Sequence, residues 1–484
     1  MKNKLRIQAG KPDDTSMELL PESILKARAV INDNGTNSFV YEERLVRKEK
    51  CLVDSAVDVW YEYVPEVLAE EKERALVISL HGGLMEGWGQ AVTSAWTKIA
   101  EREGFVAVFP NAGTRRMWTV DYDRALEERL TAPNSSGVYM NICPQDIEDN
   151  HDAQLLLKLM EVLCEQYHIR KDRVYIHGMS MGDAMASMMA RYYGNRFAGA
   201  AFTGALASPR VLYDDNGIVQ NRGGSIPVFQ THMELDEQVP GDEKSADEMV
   251  IKNRQYWLKV NECEQVPCIS IRQANNIAWY RGKQDYVYRE VKGRDHGQTL
   301  DEAELVWDNL FDADKHTDTG NTMADGDALS IAFSEGCGSM FFGGKIIALC
   351  GTPFFRKTYR FHGRRDRETE RGTFFMAAIS DICSVFGCEL TEEVVPMEQE
   401  IRLKDGRYVQ FAGGSAACLV DGKIQAMPVE CVGKDGLLFV PLTWFCRVLL
   451  NVICSECGKT VYITDHYAEL SKGMSRLIRD LLKG

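Results

Sequence analysis

Between residues 75 and 311 the chain alternates short, continuous apolar runs with amphipathic stretches, and this pattern constrains its fold more than any other feature. "ALVISLHGG" is apolar at successive positions and ends in two glycines, as a strand buried on both faces requires. "SAWTKIAEREG" follows with helical spacing and a closing glycine, then "FVAVFP" as a strand. After an irregular segment over 111–145, "DIEDNHDAQLLLKLMEVLCEQY" predicts an amphipathic helix with an acidic first turn. It leads into "RVYIHGMSMGDAM", a strand that drops through a Gly/Ser turn into another helix. The alternation continues with a helix near 184–194, strands "AGAAFTGA" and "IPVFQTH", a helix over 243–260, the strand "YVYREV" and a helix over 301–311. Two strands, from "FVYEERLV" through "VDVWYEYVP", precede the series. Strands separated by helices of this length predict an α/β fold, a mostly parallel sheet covered on both faces.

At 484 residues the chain is long enough for two or three domains. Residues 1–38 are polar and weakly periodic and read as an N-terminal extension or a loosely attached helix. The α/β pattern occupies 39–315, and "DADKHTDTGNTMADGDA" (312–328) has no periodicity, which places a linker over 316–335. Over 336–484 the texture changes to β-branched strands with short helices and a weak internal repeat. "GKIIAL" (344–349) recurs as "GKIQAM" (422–427), and "GTFFMAAISDICSVFG" (372–387) recurs as "GLLFVPLTWFCRVLLN" (436–451). A repeated strand, loop, strand, helix unit predicts a small α+β accessory module.

The net charge of −15 argues against nucleic-acid backbones or anionic membranes as partners. No apolar run is long enough to span a bilayer, and "MKNKLRIQAGKPDD" lacks the apolar core of a signal peptide, so a cytosolic location is expected. The 14 cysteines are scattered. The close pair Cys454 and Cys457 has no second pair or histidines beside it, and zinc takes about four ligands. Reduced, mostly buried thiols and no metal are therefore expected.

Cleaving an acyl bond takes a nucleophile, a base and a place for the developing oxyanion. Ser180 lies between glycines where a strand ends and a helix begins, the context of a nucleophile elbow. The backbone N–H of Met181 would then face the oxyanion. His81-Gly82-Gly83 closes an early strand, where the second oxyanion N–H of such folds originates, from Gly82 or Gly83. Downstream, Asp236 follows the strand of "IPVFQTHMELDEQVP" and His296 follows "YREVKGRDHG". Serine, aspartate, histidine is the chain order of α/β-hydrolases. His296 would take the Ser180 proton and Asp236 would hold the imidazole, with Glu234, Glu237 and Asp295 as neighbouring carboxylates for the same task.

On these residues, 55–311 resembles the polyhydroxybutyrate-depolymerase-type esterases, including their feruloyl- and acetylxylan-esterase-like members. The matching pieces are "VWYEYVP", "ISLHGG", "AEREGFVAVFP", "YHIRKDRVYIHGMSMGDAMASMMA", "IPVFQTHMELDEQVP" and "DHGQTLDEAELVWDNLF". The resemblance implies an α/β-hydrolase in which Ser180, Asp236 and His296 carry the triad and His81 and Gly82 belong to the oxyanion loop. The chain departs from that family at Asp183 and at Met233, where the family has glycine. Residues 336–484 resemble, more loosely, the small repeat module at the N-terminus of some copper amine oxidases, a stalk without the copper site. The matching features are "CLVDGKIQAMPVECVGKDGLLFVPLTWFC" and its weaker first copy.

Other residues carry a bland reading beside the sharp one. His177 reads as a satisfied core histidine, His232 as a turn-shaping residue, and His81 as a brace for the oxyanion loop. Asp183 gains roughly 0.3–1 kcal/mol from the helix dipole, and the sharper alternative puts it near the pocket, disfavouring anionic substrates or tuning His296. Trp88, Trp118, Trp279 and Tyr280 fall where they would rim the pocket. Arg115 and Arg116 read as a solvated loop pair, and the run from Arg364 to Arg371 as a solvated loop. The expectation is a cofactor-free serine esterase acting on a small-molecule or polymer ester, with homo-oligomerisation open. A serine peptidase or acyltransferase, or a drifted fold acting as a scaffold, are the rivals.

Overall fold

The computed structural model describes residues 29–30, 38–135, 137–236, 246–312, 323–362, 367–391 and 397–484. The chain divides into two units, one of Met1–Pro267 and Ala278–Ala324, the other of Cys268–Ile277 and Asp325–Gly484. No helix among the described residues is long and apolar enough to cross a membrane.

The main sheet of the first unit contains, among the described residues, the strands β1 (Leu45–Lys50), β2 (Asp58–Tyr63), β3 (Leu76–Leu80), β4 (Val106–Pro110), β5 (Val174–Met179), β6 (Gly199–Thr203), β7 (Val228–Met233) and β8 (Tyr286–Val291). They lie in the order β1–β2–β4–β3–β5–β6–β7–β8. β2 is antiparallel to β1 and β4, and the pairs from β4 to β8 are parallel. This is the α/β-hydrolase sheet. Every residue of β3, β4, β6, β7 and β8 is buried; β3, β4 and β6 therefore read as nearly unbroken apolar runs, whereas β7 and β8 also bury Gln230, Thr231, His232, Arg289 and Glu290.

The sequence does not foresee α1 (Gly87–Thr93), but the other helices fall where it places them: α2 (Trp96–Glu103), α3 (His151–Tyr167), α4 (Met181–Tyr193), α5 (Ala246–Val260) and α6 (Glu302–Val306). α3 starts because the Asn150 side chain accepts the Ala153 N–H, and it ends at His168 in the left-handed region. α6 widens into a π turn over Trp307–Phe311. That turn sets Trp307 against Phe105 at 4.2 Å and Phe311 against Tyr175 at 4.4 Å, both stacked. Such pairs add about 0.5–1.5 kcal/mol each beyond the area they bury.

The second unit realises the repeat. Copy one has the hairpin Ser339–Phe342 with Lys345–Ala348, then the strand Arg367–Ala378 and the helix Ile379–Phe386. Copy two has Ala417–Val420 with Lys423–Ala426, then Leu437–Pro441 and a helical turn from Leu442 through Leu449. The two long strands pair antiparallel, Ala377 opposite Val440, so the copies meet at a central seam. Each hairpin sheet is closed by strands that follow the other copy's helix. Thr460–Thr464 pairs with Ile331–Ser334, and Glu398–Arg402 pairs with Tyr408–Ala412.

Three readings need correction. The linker over 316–335 ends earlier than expected, because Ile331–Ser334 is a fully buried strand of the second unit. Between the helix expected over 243–260 and "YVYREV", where the sequence predicts no element, Cys268–Arg272 and Asn275–Tyr280 are strands. Near the N-terminus, Ala29–Val30 pairs with Ser38–Phe39 as strands, and the rest of the expected extension lies outside the described residues. Glu237 and Arg364 also lie outside them.

Candidate active site

Parallel strands deliver their C-terminal ends to one edge of the sheet, and the site is assembled there. β5 ends at Met179, and Ser180 turns the chain with φ 56° and ψ −118°, a left-handed strained conformation for a serine. The flanking glycines are sterically required. A Cβ on Gly178 would stand 1.9 Å from the Gly182 carbonyl oxygen, and one on Gly182 would stand 2.2 Å from that of Leu80. The Ser180 N–H donates to the Thr203 carbonyl at 2.7 Å, which fastens the turn to the end of β6. Met181 then opens α4, so its N–H has no acceptor within the helix.

His296 is brought to this turn from the loop after β8. Its Nε2 lies 2.8 Å from Ser180 Oγ, and its Nδ1 lies 2.8 Å from Asp236 Oδ2. With the proton on Nδ1, the ring donates to Asp236 and accepts from the serine hydroxyl. The loops after β7 and β8 are laced together, Glu234 N–H to the Val291 carbonyl and Leu235 N–H to that of Arg294. That lacing sets Asp236 beside the ring, with its carboxylate 3% exposed. Among the neighbouring carboxylates, Asp295 accepts the His296 backbone N–H and Glu234 accepts that of Gly293.

The His81–Gly83 loop, expected to supply an oxyanion N–H, is fixed through His81. The ring is fully buried, donating from Nδ1 to the Gly82 carbonyl at 2.7 Å and accepting the Ala112 N–H at Nε2, 3.0 Å. Burial holds its pKa down at about 4, with the Arg116 charge acting the same way against the Gly82 carbonyl. A neutral ring is what this pairing needs. Trp118 donates its indole N–H to the His81 carbonyl at 2.9 Å and is itself fully buried. Gly82 reaches the elbow: a Cβ built on it stands 3.5 Å from Ser180 Cβ, and one on Gly83 stands 3.3 Å from Met181 Cγ. Leu84 leaves the loop with φ 63° and donates to the Arg116 carbonyl.

Several expected pocket residues lie elsewhere. Trp118 is a brace rather than a rim, because its polar edge is used by His81. Trp279 and Tyr280 are buried strand residues, and Trp279 donates to Asp285 at 2.7 Å. Trp88 is half-buried on α1. Arg115 is an exposed loop residue, as expected, and it also donates to Asn141 Oδ1 and packs over the Tyr139 ring at 3.7 Å. His232 is buried at the end of β7. Asp183 is 2% exposed and accepts the Ala205 N–H at 2.9 Å. Among the described residues, no group of three or more His, Cys, Asp or Glu side chains is placed to hold a metal ion.

Sequence reasoning missed the polar assembly behind the elbow. Glu302, 2% exposed on the first turn of α6, accepts from Thr203 Oγ1, faces His177 Nε2 at 3.1 Å and accepts from Arg289 at 3.3 Å. His177 Nδ1 pairs with Ser79 Oγ at 2.8 Å, as expected of a satisfied core histidine. Thr203 is the residue whose carbonyl receives the Ser180 N–H, so Glu302 stiffens the elbow's anchor. Asp152 does the same for the loop after β4, accepting the Gly113 and Thr119 N–H groups at 2.8 and 2.7 Å. In the sequence both are acids in a helix first turn, which dipole stabilisation explains equally well.

No protein-family model matches the chain. It is 24% identical over 170 residues to the bifunctional acetylxylan esterase/xylanase XynS20E of Neocallimastix patriciarum, covering 35% of this chain and 20% of that protein. It is 28% identical over 154 residues to acetylxylan esterase A of Emericella nidulans, covering 31% of this chain and 42% of that protein. The chain thus spans well under two thirds of the curated relatives it matches. An acetyl xylan esterase from Aspergillus awamori superposes with a TM-score of 0.39 at 15% identity, covering 54% of this chain and 97% of that one. The LpqC poly(3-hydroxybutyrate) depolymerase from Bordetella parapertussis superposes with a TM-score of 0.33 at 13% identity, covering 52% and 85%.

Proposed function

We propose that this α/β-hydrolase is a serine carboxylic ester hydrolase that removes short acyl groups, acetyl foremost, from a polyhydroxylated alcohol. The observation that carries the reading is the pair of 2.8 Å contacts at His296, to Ser180 Oγ and to Asp236 Oδ2. In the proposed reaction Ser180 Oγ attacks the ester carbonyl while its proton passes to His296 Nε2. Asp236 stabilises the imidazolium, and the N–H groups of Met181 and of Gly82 or Gly83 receive the oxyanion. The alcohol leaves with the proton from His296. Water, deprotonated by the same nitrogen, then releases the acid and restores the serine.

Two observations support a short acyl group. Side chains built on Gly82 and Gly83 meet Met179 Sδ at 3.1 Å, Met85 Sδ at 3.4 Å and Met117 Sδ at 2.9 Å, so thioethers fill the space beside the oxyanion loop. Both curated relatives are named for acetylxylan esterase activity. The test is hydrolysis of p-nitrophenyl esters of increasing acyl length beside acetylated xylan. The reading expects acetate to be the best chromogenic substrate and acetate release from the polymer. It fails if no ester is cleaved, or if kcat/KM climbs steadily with chain length.

A further inference from the structure

Asp183 is a buried carboxyl one turn from the nucleophile that the proposed reaction does not use. Its side chain is 2% exposed, so it does not face a bound substrate. The hydrogen bond it makes leaves the helix altogether: Oδ2 accepts the N–H of Ala205, in the loop that follows β6. Burial pushes this carboxyl well above the usual carboxylate range, and the negative charges of Glu302 and Asp236 push the same way against the Ala205 hydrogen bond.

The residue before Ala205 lies under the base. Gly204 has φ 79°, and a Cβ built on it stands 3.4 Å from His296 Cε1, 3.6 Å from Nδ1 and 3.7 Å from the Gly297 carbonyl oxygen. The loop therefore passes beside the imidazole with room for no more than one added carbon between them, and a shift of the loop towards the ring would be felt by it. Farther along, Asn253 pins the same loop by donating to the Ala207 carbonyl at 2.9 Å and accepting its N–H at 3.1 Å. The end next to the ring is the one Asp183 holds. Ser180, Met181 and Asp183 share the first turn of α4, so one rigid element carries the nucleophile, an oxyanion N–H and the support of the base.

We propose that Asp183 is a positioning residue: its carboxyl oxygen holds the Gly204–Ala205 backbone against the His296 ring and keeps the imidazole between Asp236 and Ser180. The inference rests on the reading of His296 as the base. Without the acceptor, the buried Ala205 N–H is left unpaired and its loop moves to satisfy it. The cost falls on proton transfer, not on substrate binding.

The test compares Asp183→Leu, which keeps the volume without an acceptor, with Asp183→Asn, whose amide oxygen accepts the same N–H. Both are assayed on p-nitrophenyl acetate, with active sites counted by fluorophosphonate titration so that unfolded protein drops out. Asp183→Leu is expected to lower kcat per active site about 10–100-fold, the scale of a misplaced reacting group, with KM within about threefold. Asp183→Asn is expected to restore kcat to within about threefold of the parent. Where the Leu variant does not fold, Asp183→Ala replaces it. The inference is overturned if the acceptor-free variant keeps the parent kcat, if Asn loses as much as Leu, or if the change falls on KM alone. Ester hydrolysis that survives Ser180→Ala unchanged would instead remove the reading on which the inference rests.

Discussion

The two units of this chain bury their polar groups in different company. In the second unit the buried carboxylates answer mainly to backbone and hydroxyl donors. Asp381 accepts the Cys350 and Gly351 N–H groups, and Asp327 accepts from Ser270, Ile271 N–H and the Tyr462 hydroxyl, with Arg272 and His466 farther off at 3.7 and 3.6 Å. Around them lies a core of aliphatic, aromatic and thiol side chains such as Ile382, Phe445 and Cys446. In the first unit Asp152 and Asp183 also accept backbone N–H groups, but Asp236 meets His296, and Glu302 meets His177 and Arg289. Left-handed backbone occurs in both units, at Gln273, Met397, Asp421, Asp435 and Asn451 of the second and at His168 and Glu262 of the first among others. Ser180 and Leu84, however, place it at the turn after β5 and at the end of the His81–Gly83 loop. A carboxylate that completes a backbone turn is architecture. One that faces an imidazole in a buried, strained setting is where chemistry is to be sought.

That contrast breaks most visibly at the nucleophile. Ser180→Ala should lower ester hydrolysis about 10⁴-fold or more while leaving the denaturation midpoint almost unchanged, checked by kinetics beside guanidinium unfolding. Asp236→Asn should follow at about 10³–10⁴-fold in kcat, because the amide no longer selects the ring tautomer that accepts from the serine. The second unit should behave in the opposite sense. Phe445 is fully buried, so Phe445→Ala should cost about 3–5 kcal/mol of stability, read from that unit's unfolding transition, with kcat per active site unaltered.

The smallest effect is a pH dependence of the first unit's stability. His81 has its pKa lowered from 6.5 to about 4 by burial. Between those values the unfolded chain binds a proton that the folded chain refuses. Its stabilising contribution is therefore complete above pH 6.5 and lost as pH falls towards 4. Stability should drop by about 2 kcal/mol between pH 6.5 and 5 from this group, and His81→Gln, which keeps a donor and an acceptor, should flatten that slope. A slope that persists in the variant would assign it to other groups.

Much of this was legible in the sequence for a physical reason. Strands buried on both faces are mostly apolar, so β3, β4 and β6 announce themselves, and parallel strands require the helices between them. The elbow was legible because no residue with a Cβ fits at Gly178 or Gly182. Other features carry signals that two structures share. Trp118 and Trp279 are aromatic residues in weakly patterned segments, and a lid, a rim and a packed core use such residues alike. The strand Cys268–Arg272 is five residues long, too short for periodicity to separate it from a loop. Glu302 and Asp183 look like dipole-stabilising acids, and only the fold reveals that one braces Thr203 and the other Ala205.

The central claim is that Ser180 is a nucleophile activated by His296. The measurement that meets it most directly is covalent labelling with a fluorophosphonate, followed by peptide mapping of the adduct. The account predicts stoichiometric modification at Ser180, abolished in Ser180→Ala and slowed by orders of magnitude in His296→Ala. Labelling that is absent from the parent protein, or that persists equally in Ser180→Ala, would contradict it.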